Sequence, residues 1–170
     1  WVEKTLRLSD TSKYCVSKFE KSALYDNEST YIYSSAIRSF KDERIITGGI
    51  AVVFDSTPQF NAMLDESLPR DIDGNKISGI FALFTDKDKK IISSTNDNFQ
   101  VDSYLNIDDK FFNLKNAQQK SQIIEMNNKY YAVAVKCSNG YREYKSRVDD
   151  YKNDVLCFVF ISIGKKECNV

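Results

Sequence analysis

Histidine is absent from these 170 residues. Ser-His-Asp and Cys-His nucleophilic sites need an imidazole base, and the commonest ligand of zinc, copper and iron goes with it. The cysteines Cys15, Cys137, Cys157 and Cys168 form no C-x-x-C pair, which argues against a zinc ribbon or a thioredoxin-type motif. Charge of either sign is not in excess. Lys plus Arg and Asp plus Glu both number 24, whereas a nucleic-acid reader usually shows a basic surplus. No apolar run approaches the roughly eighteen residues that span a bilayer, and no signal peptide is present. With two prolines and six glycines, the chain has no low-complexity tract. It starts at Trp1, which reads as a piece of a longer protein whose anchor or signal would lie elsewhere.

What is present is an ordinary globular composition, 42% hydrophobic and 28% charged, enough to bury one sizeable core. Tyr14, Cys15, Lys18, Phe19 and Ala23 keep a weak helical spacing, with Asp10 or Ser12 as cap, so a short N-terminal helix and connector are expected over 1–29. "TYIYSSAIRSF" and "RIITGGIAVVFDS" read as two strands joined at "KDER". Gly48-Gly49 within the second marks a bulge or a close approach by another segment. "DSTPQFNAMLDESLPRD" is the clearest helix: Thr57 as cap, Pro58 at the first turn, and Phe60, Met63, Leu64 and Leu68 on one face. "DIDGNKIS" resembles the start of a calcium loop, but its twelfth position is Ala82, where a glutamate is required.

"GIFALFTDKDKKIISST" reads as a hairpin turning at Asp86 to Lys89. A short helix is expected near Asp108 to Leu114. "SQIIEMNNKYYAVAVKCS" is a second hairpin turning at Asn127-Asn128, and "DVLCFVFISIG" is apolar on both faces, as a central strand would be. Strands gather in hairpins and helices do not alternate with them. The fold class is therefore α+β, with an antiparallel sheet of about five to six strands and packing helices. Cys137 ends one predicted strand and Cys157 starts another. They face each other if those strands are neighbours, or else act as small buried hydrophobes.

Three stretches carry a resemblance: "TGGIAVVFDSTPQFNAMLDESLP", "GIFALFTDKDKKIISSTND", and "YYAVAVKCSNGYREYK" through "NDVLCFVFISIG". They are similar to the Cache (PAS-like) sensor domain of bacterial chemoreceptors, the methyl-accepting chemotaxis proteins. The resemblance covers about residues 30–164, with 165–170 as a tail leading onward. It implies a periplasmic or otherwise extracytoplasmic module of a membrane-anchored protein that acts as a homodimer. It also implies a small-molecule ligand, such as an organic acid or amino acid, or a relayed signal from a neighbouring module. The aromatic-arginine-tryptophan-aspartate signature of amino-acid-binding Cache modules does not occur in its usual order, because Trp1 is the only tryptophan and lies outside the core.

A tight hairpin needs about two to five linking residues, yet the last two strands are joined by "SNGYREYKSRVDDYKND". Tyr141, Arg142 and Tyr144 in this connector combine a planar fork of donors suited to a carboxylate with amphipathic walls. Asp154 is placed to accept from an ammonium group. Phe81, Leu83 and Tyr131, with Val133, are the expected floor of a ligand site. The same loop also reads as a solvated rim of weak ion pairs, and Phe81 and Phe84 as core. No catalytic constellation, metal site, cofactor or nucleic-acid partner is expected. The alternatives to an extracytoplasmic sensor are a cytoplasmic PAS- or GAF-like sensor and a ligand-free structural or dimerisation module.

Overall fold

The computed structural model describes residues 1–138 and 155–165, and these fall into two compact units, 1–56 and 57–138 with 155–165. The fold class is α+β, with two antiparallel sheets of four and five strands.

The first unit holds α1 (Val2–Leu6), β1 (Cys15–Val16), β2 (Glu20–Lys21), a single 3₁₀ turn at Ala23–Tyr25, β3 (Ser29–Arg38) and β4 (Ile46–Phe54). The strands β3 and β4 pair along most of their lengths, from Tyr31 opposite Phe54 to Arg38 opposite Ile46. The helix expected around Tyr14 to Ala23 is not formed. The segment instead gives two short strands on β3, with Cys15 opposite Ser34 and Glu20 opposite Thr30. Between them Ser17 N donates to Ile32 O at 2.9 Å, and Ile32 N donates to Ser17 Oγ at 2.9 Å. A weak helical spacing loses to a waiting ladder of backbone partners. Asp10 binds the backbone N–H of Ser12 at 2.9 Å and so closes a turn rather than capping a helix.

Gly49 is where α1 comes close. A Cβ there would stand 3.1 Å from Thr5 Cγ2. Thr5 is buried and its hydroxyl lies 2.6 Å from Ser34 Oγ and 3.3 Å from Cys15 Sγ. The close approach read from the glycine pair is thus made by a side chain of α1.

The second unit opens with α2 (Ser56–Ser67), followed by β5 (Ile80–Thr85), β6 (Ile91–Ser94), a 3₁₀ turn at Asp109–Phe111, β7 (Gln119–Met126), β8 (Lys129–Cys137) and β9 (Leu156–Lys165). The helix starts at Ser56, so Thr57 lies inside its first turn and not before it. Between α2 and β5, the Asp71 carboxylate accepts from the backbone N–H groups of Asp73 at 3.0 Å and Asn75 at 2.8 Å. That folds "DIDGN" into a tight turn.

The sheet order is β6-β5-β9-β8-β7, all antiparallel. The apolar β9 is its central strand, as an uninterrupted hydrophobic run demands. The strands β7 and β8 meet at Asn127-Asn128, with φ of 54° and 58°. This is a two-residue turn of the primed kind, which asparagine tolerates better than most residues.

The register decides the two cysteines. Cys137 pairs with Leu156 and Cys157 with Lys136, so the two thiols project from opposite faces of the sheet. Cys137 is buried under one face and Cys157 half-buried under the other. They do not face each other. Burial pushes the Cys157 thiol up from its ordinary pKa, which makes it less reactive. Cys168 lies outside the described residues.

Candidate functional site

The five-stranded sheet has two unlike faces. Ile80, Ala82, Phe84, Cys157 and Val159 meet Leu64 of α2 and Leu68 just beyond its end, and the ring of Phe60 stands edge-on to Phe84 at 5.7 Å. The other face carries Phe81 and Leu83 on β5, Phe158 and Phe160 on β9, and Tyr131, Val133 and Val135 on β8. It is covered by Phe99, Leu105, Phe111 and Phe112 from the segment between β6 and β7.

Three of the residues expected at a ligand site sit on this second face. Phe81 opposes Phe160, and Leu83 opposes Phe158. Tyr131 stands edge-on to Phe81 at 5.9 Å and to Phe160 at 6.1 Å. The Phe81 ring lies flat against Phe160, with centroids 4.7 Å apart and planes 3° apart, and Phe99 packs against both, 5.2 Å from Phe81 and 6.3 Å from Phe160. Phe81 is 5% exposed and Leu83 and Phe160 are fully buried, while Tyr131 is half-buried. The fold thus brings Phe81 and Tyr131 into contact and sets Leu83 one step along the same face. Tyr141, Arg142, Tyr144 and Asp154 lie outside the described residues.

The covering phenylalanines Phe99, Phe111 and Phe112, and Phe158 and Phe160 from β9, are members of this cluster that sequence reasoning did not name. Their signal was present for β9, whose alternation places 156, 158 and 160 on one face. It was weak for the covering segment, where turns break any period.

A charged rim surrounds the covering segment. Lys89 Nζ lies 5.5 Å from the centre of the Phe112 ring, and Lys110 and Lys120 lie 5.7 and 5.9 Å from that of Phe111. Such cation–π contacts stabilise modestly when exposed. Lys89 also pairs with Asp109, and Lys110 with Asp108 at 2.8 Å. The hydrogen bond from Lys110 holds the Asp108 carboxyl below its ordinary pKa. A half-buried pair, Lys90–Asp102 at 2.7 Å, joins β6 to the segment that follows it.

Asp86 behaves in the opposite sense. Burial at the end of β5 raises its pKa, and the nearby Asp88 adds to this. The N–H of Lys90, 2.8 Å from its carboxylate, opposes the rise without cancelling it. The folded chain therefore binds the Asp86 proton more tightly than the unfolded chain does. This contribution favours folding at acid pH and is lost as pH rises through the raised pKa. Asp65, Asp71 and Asp108 are all lowered and lose stabilisation as pH falls. Asp86→Asn keeps an acceptor for Lys90 while removing the titration. Its melting temperature should fall more steeply than that of the wild type between neutral and mildly acid pH. Parallel curves would refute the assignment.

No known family's sequence model matches the chain, and no curated protein sequence matches it. Solved structures do. The extracellular domain of rpHK1S-Z16, named as a histidine kinase, superposes with a TM-score of 0.58 at 9% identity over 95% of this chain and 58% of that one. The ligand-binding domain of the Campylobacter jejuni chemoreceptor Tlp3, in complex with 4-methylisoleucine, gives a TM-score of 0.56 at 15% identity over 95% of this chain and 51% of that one. The sensory domain of the same receptor with isoleucine bound gives 0.53 at 15% identity over 94% and 52%. The chain thus has the fold of Cache-like sensory domains and spans a little over half the length of these neighbours.

Proposed function

We propose that this chain is the extracytoplasmic sensory module of a bacterial chemoreceptor or related signalling receptor, held at the membrane by segments of a longer protein. The observation that carries the reading is the sheet itself: five antiparallel strands in the order β6-β5-β9-β8-β7, helix on one face and covering segment on the other. That is the architecture shared with sensory domains of a chemoreceptor and a kinase. The role is non-catalytic. Signal transduction follows from a shift between conformations, and a ligand contributes only as far as it favours one of them.

Within that role, relay of a change made elsewhere in the receptor is favoured by the stack of Phe99, Phe81 and Phe160, whose rings fill the space over the middle of the sheet. Direct sensing is the second reading, supported by the amino-acid-like ligands bound to neighbours of this fold. In that case Tyr131 and the connector residues Tyr141, Arg142, Tyr144 and Asp154 would clasp a small organic acid or amino acid above a floor of Phe81 and Leu83. A thermal-shift screen against amino acids and organic acids separates the two, because a ligand of the folded state raises the melting temperature by mass action. Relay predicts no shift from any compound. A shift abolished by Arg142→Ala would establish direct sensing instead.

A further inference from the structure

The two units hold their helices by different means. In the second, α2 buries apolar side chains against the sheet. In the first, α1 does not. Trp1, Val2 and Leu6 are exposed, and Thr5, at 1% exposure, is the only buried residue of the helix. A helix of five residues does not hold its shape alone, so α1 is formed because it is docked.

The docking is polar. Thr5 has one hydroxyl proton, and it goes to the Trp1 carbonyl at 3.0 Å. Ser34 is therefore the donor in the 2.6 Å contact with Thr5. The Cys15 thiol, 3.1 Å from Ser34 Oγ, donates in turn to that hydroxyl. The order Cys15, Ser34, Thr5, Trp1 uses each proton once and ties β1, β3 and α1 together. Just past the helix, the Arg38 guanidinium at the end of β3 donates to the Leu8 carbonyl. The floor beneath is tight, since a Cβ at Gly49 would meet Thr5 Cγ2 at 3.1 Å.

We propose that α1 is a latch, which undocks from the β3–β4 pair and redocks while the sheet stays folded, with the Thr5 hydroxyl as its catch. On opening, these hydrogen bonds exchange for water at a small net cost, and little apolar surface is uncovered. The undocked form is therefore far more accessible than the unfolded chain. It gives the unit a second conformation, which is what a ligand or a neighbouring module needs in order to bias it. The latch itself does not depend on which of them does so.

Native-state hydrogen exchange, read amide by amide, tests it. The amides of Thr5, Arg7 and Leu8 donate to the carbonyls of Trp1, Lys4 and Thr5. They should be protected, yet exchange at least about tenfold faster than the β3 amides paired with β4. Their exchange should respond weakly to urea, because opening exposes little surface. Thr5→Val keeps the side-chain shape and removes the hydroxyl. It should speed exchange in α1 at least about fivefold and leave β3 unchanged. Thr5→Ser restores the hydroxyl and should restore the protection. Gly49→Ala, which crowds the docked helix, should act as Thr5→Val does. Four outcomes would each overturn the proposal: α1 amides with no protection, α1 exchanging only together with β3, Thr5→Val speeding both alike, or Thr5→Ser behaving as Thr5→Val.

Discussion

Replacing Phe160 by alanine should cost the fold about 3–5 kcal/mol, the range for truncating a fully buried aromatic ring. The position explains why the upper part of that range is expected. Phe160 is completely buried on the central strand, with Phe81 stacked at 4.7 Å and Phe158, Tyr131 and Phe99 within 6.1 to 6.3 Å. Phe81 also packs on Phe99 and Tyr131, so moving into the vacated space would disturb both contacts. Poor relaxation of the surroundings is what separates costly truncations from cheap ones. For a chain of this size the loss corresponds to a fall in melting temperature on the order of 10 °C. Thermal denaturation followed by circular dichroism measures it. A fall of only a degree or two would mean that the stack is loosely packed, which would also remove the main support for relay over direct sensing.

How much of this cluster was legible depends on period. The strand residues Phe81, Leu83 and Tyr131 declare a common face through simple alternation, and the pairing of β5 and β8 with β9 then brings them side by side. The hairpins turning at Asp86 to Lys89 and at Asn127-Asn128 were equally plain, because turn residues sit between two β-branched runs. The covering layer was not. Phe99, Phe111 and Phe112 lie in a segment of bends and one 3₁₀ turn, where neither a period of two nor one of 3.6 applies. Their inward orientation is fixed by tertiary contact alone.

The first thirty residues fail for a related reason. Cys15, Val16, Glu20 and Lys21 have no strong preference of their own, and the ladder offered by β3 decides their conformation. The cysteine pair shows the limit of register reasoning. Cys137 and Cys157 do lie on neighbouring antiparallel strands, as a facing pair requires. A one-residue offset nevertheless sends the thiols to opposite faces, and nothing in the sequence fixes that offset. The connector residues Tyr141, Arg142, Tyr144 and Asp154 remain a proposal from residue chemistry.

Leu64→Ala should be the second large loss, about 2–5 kcal/mol, and it should come from detachment of α2 and not from weakened helix propensity. Alanine is the better helix former, so an isolated helix would gain slightly. Leu64 is fully buried and packs, with Leu68, on Ala82 and its neighbours Phe84, Cys157 and Val159. The small Ala82 side chain leaves room for Leu64 to pack against the sheet. Met63, adjacent in sequence, was expected on the same apolar face but is 52% exposed. Consecutive helical positions are about 100° apart, and the sheet selects the one at 64. Met63→Ala should therefore change the unfolding midpoint little, within about 0.5 kcal/mol. Urea denaturation of both variants distinguishes the cases. Equal losses at 63 and 64 would mean that α2 is rotated about its axis from the orientation described. A large loss at 64 alone establishes Leu64 as the anchor that fastens α2 to its face of the sheet.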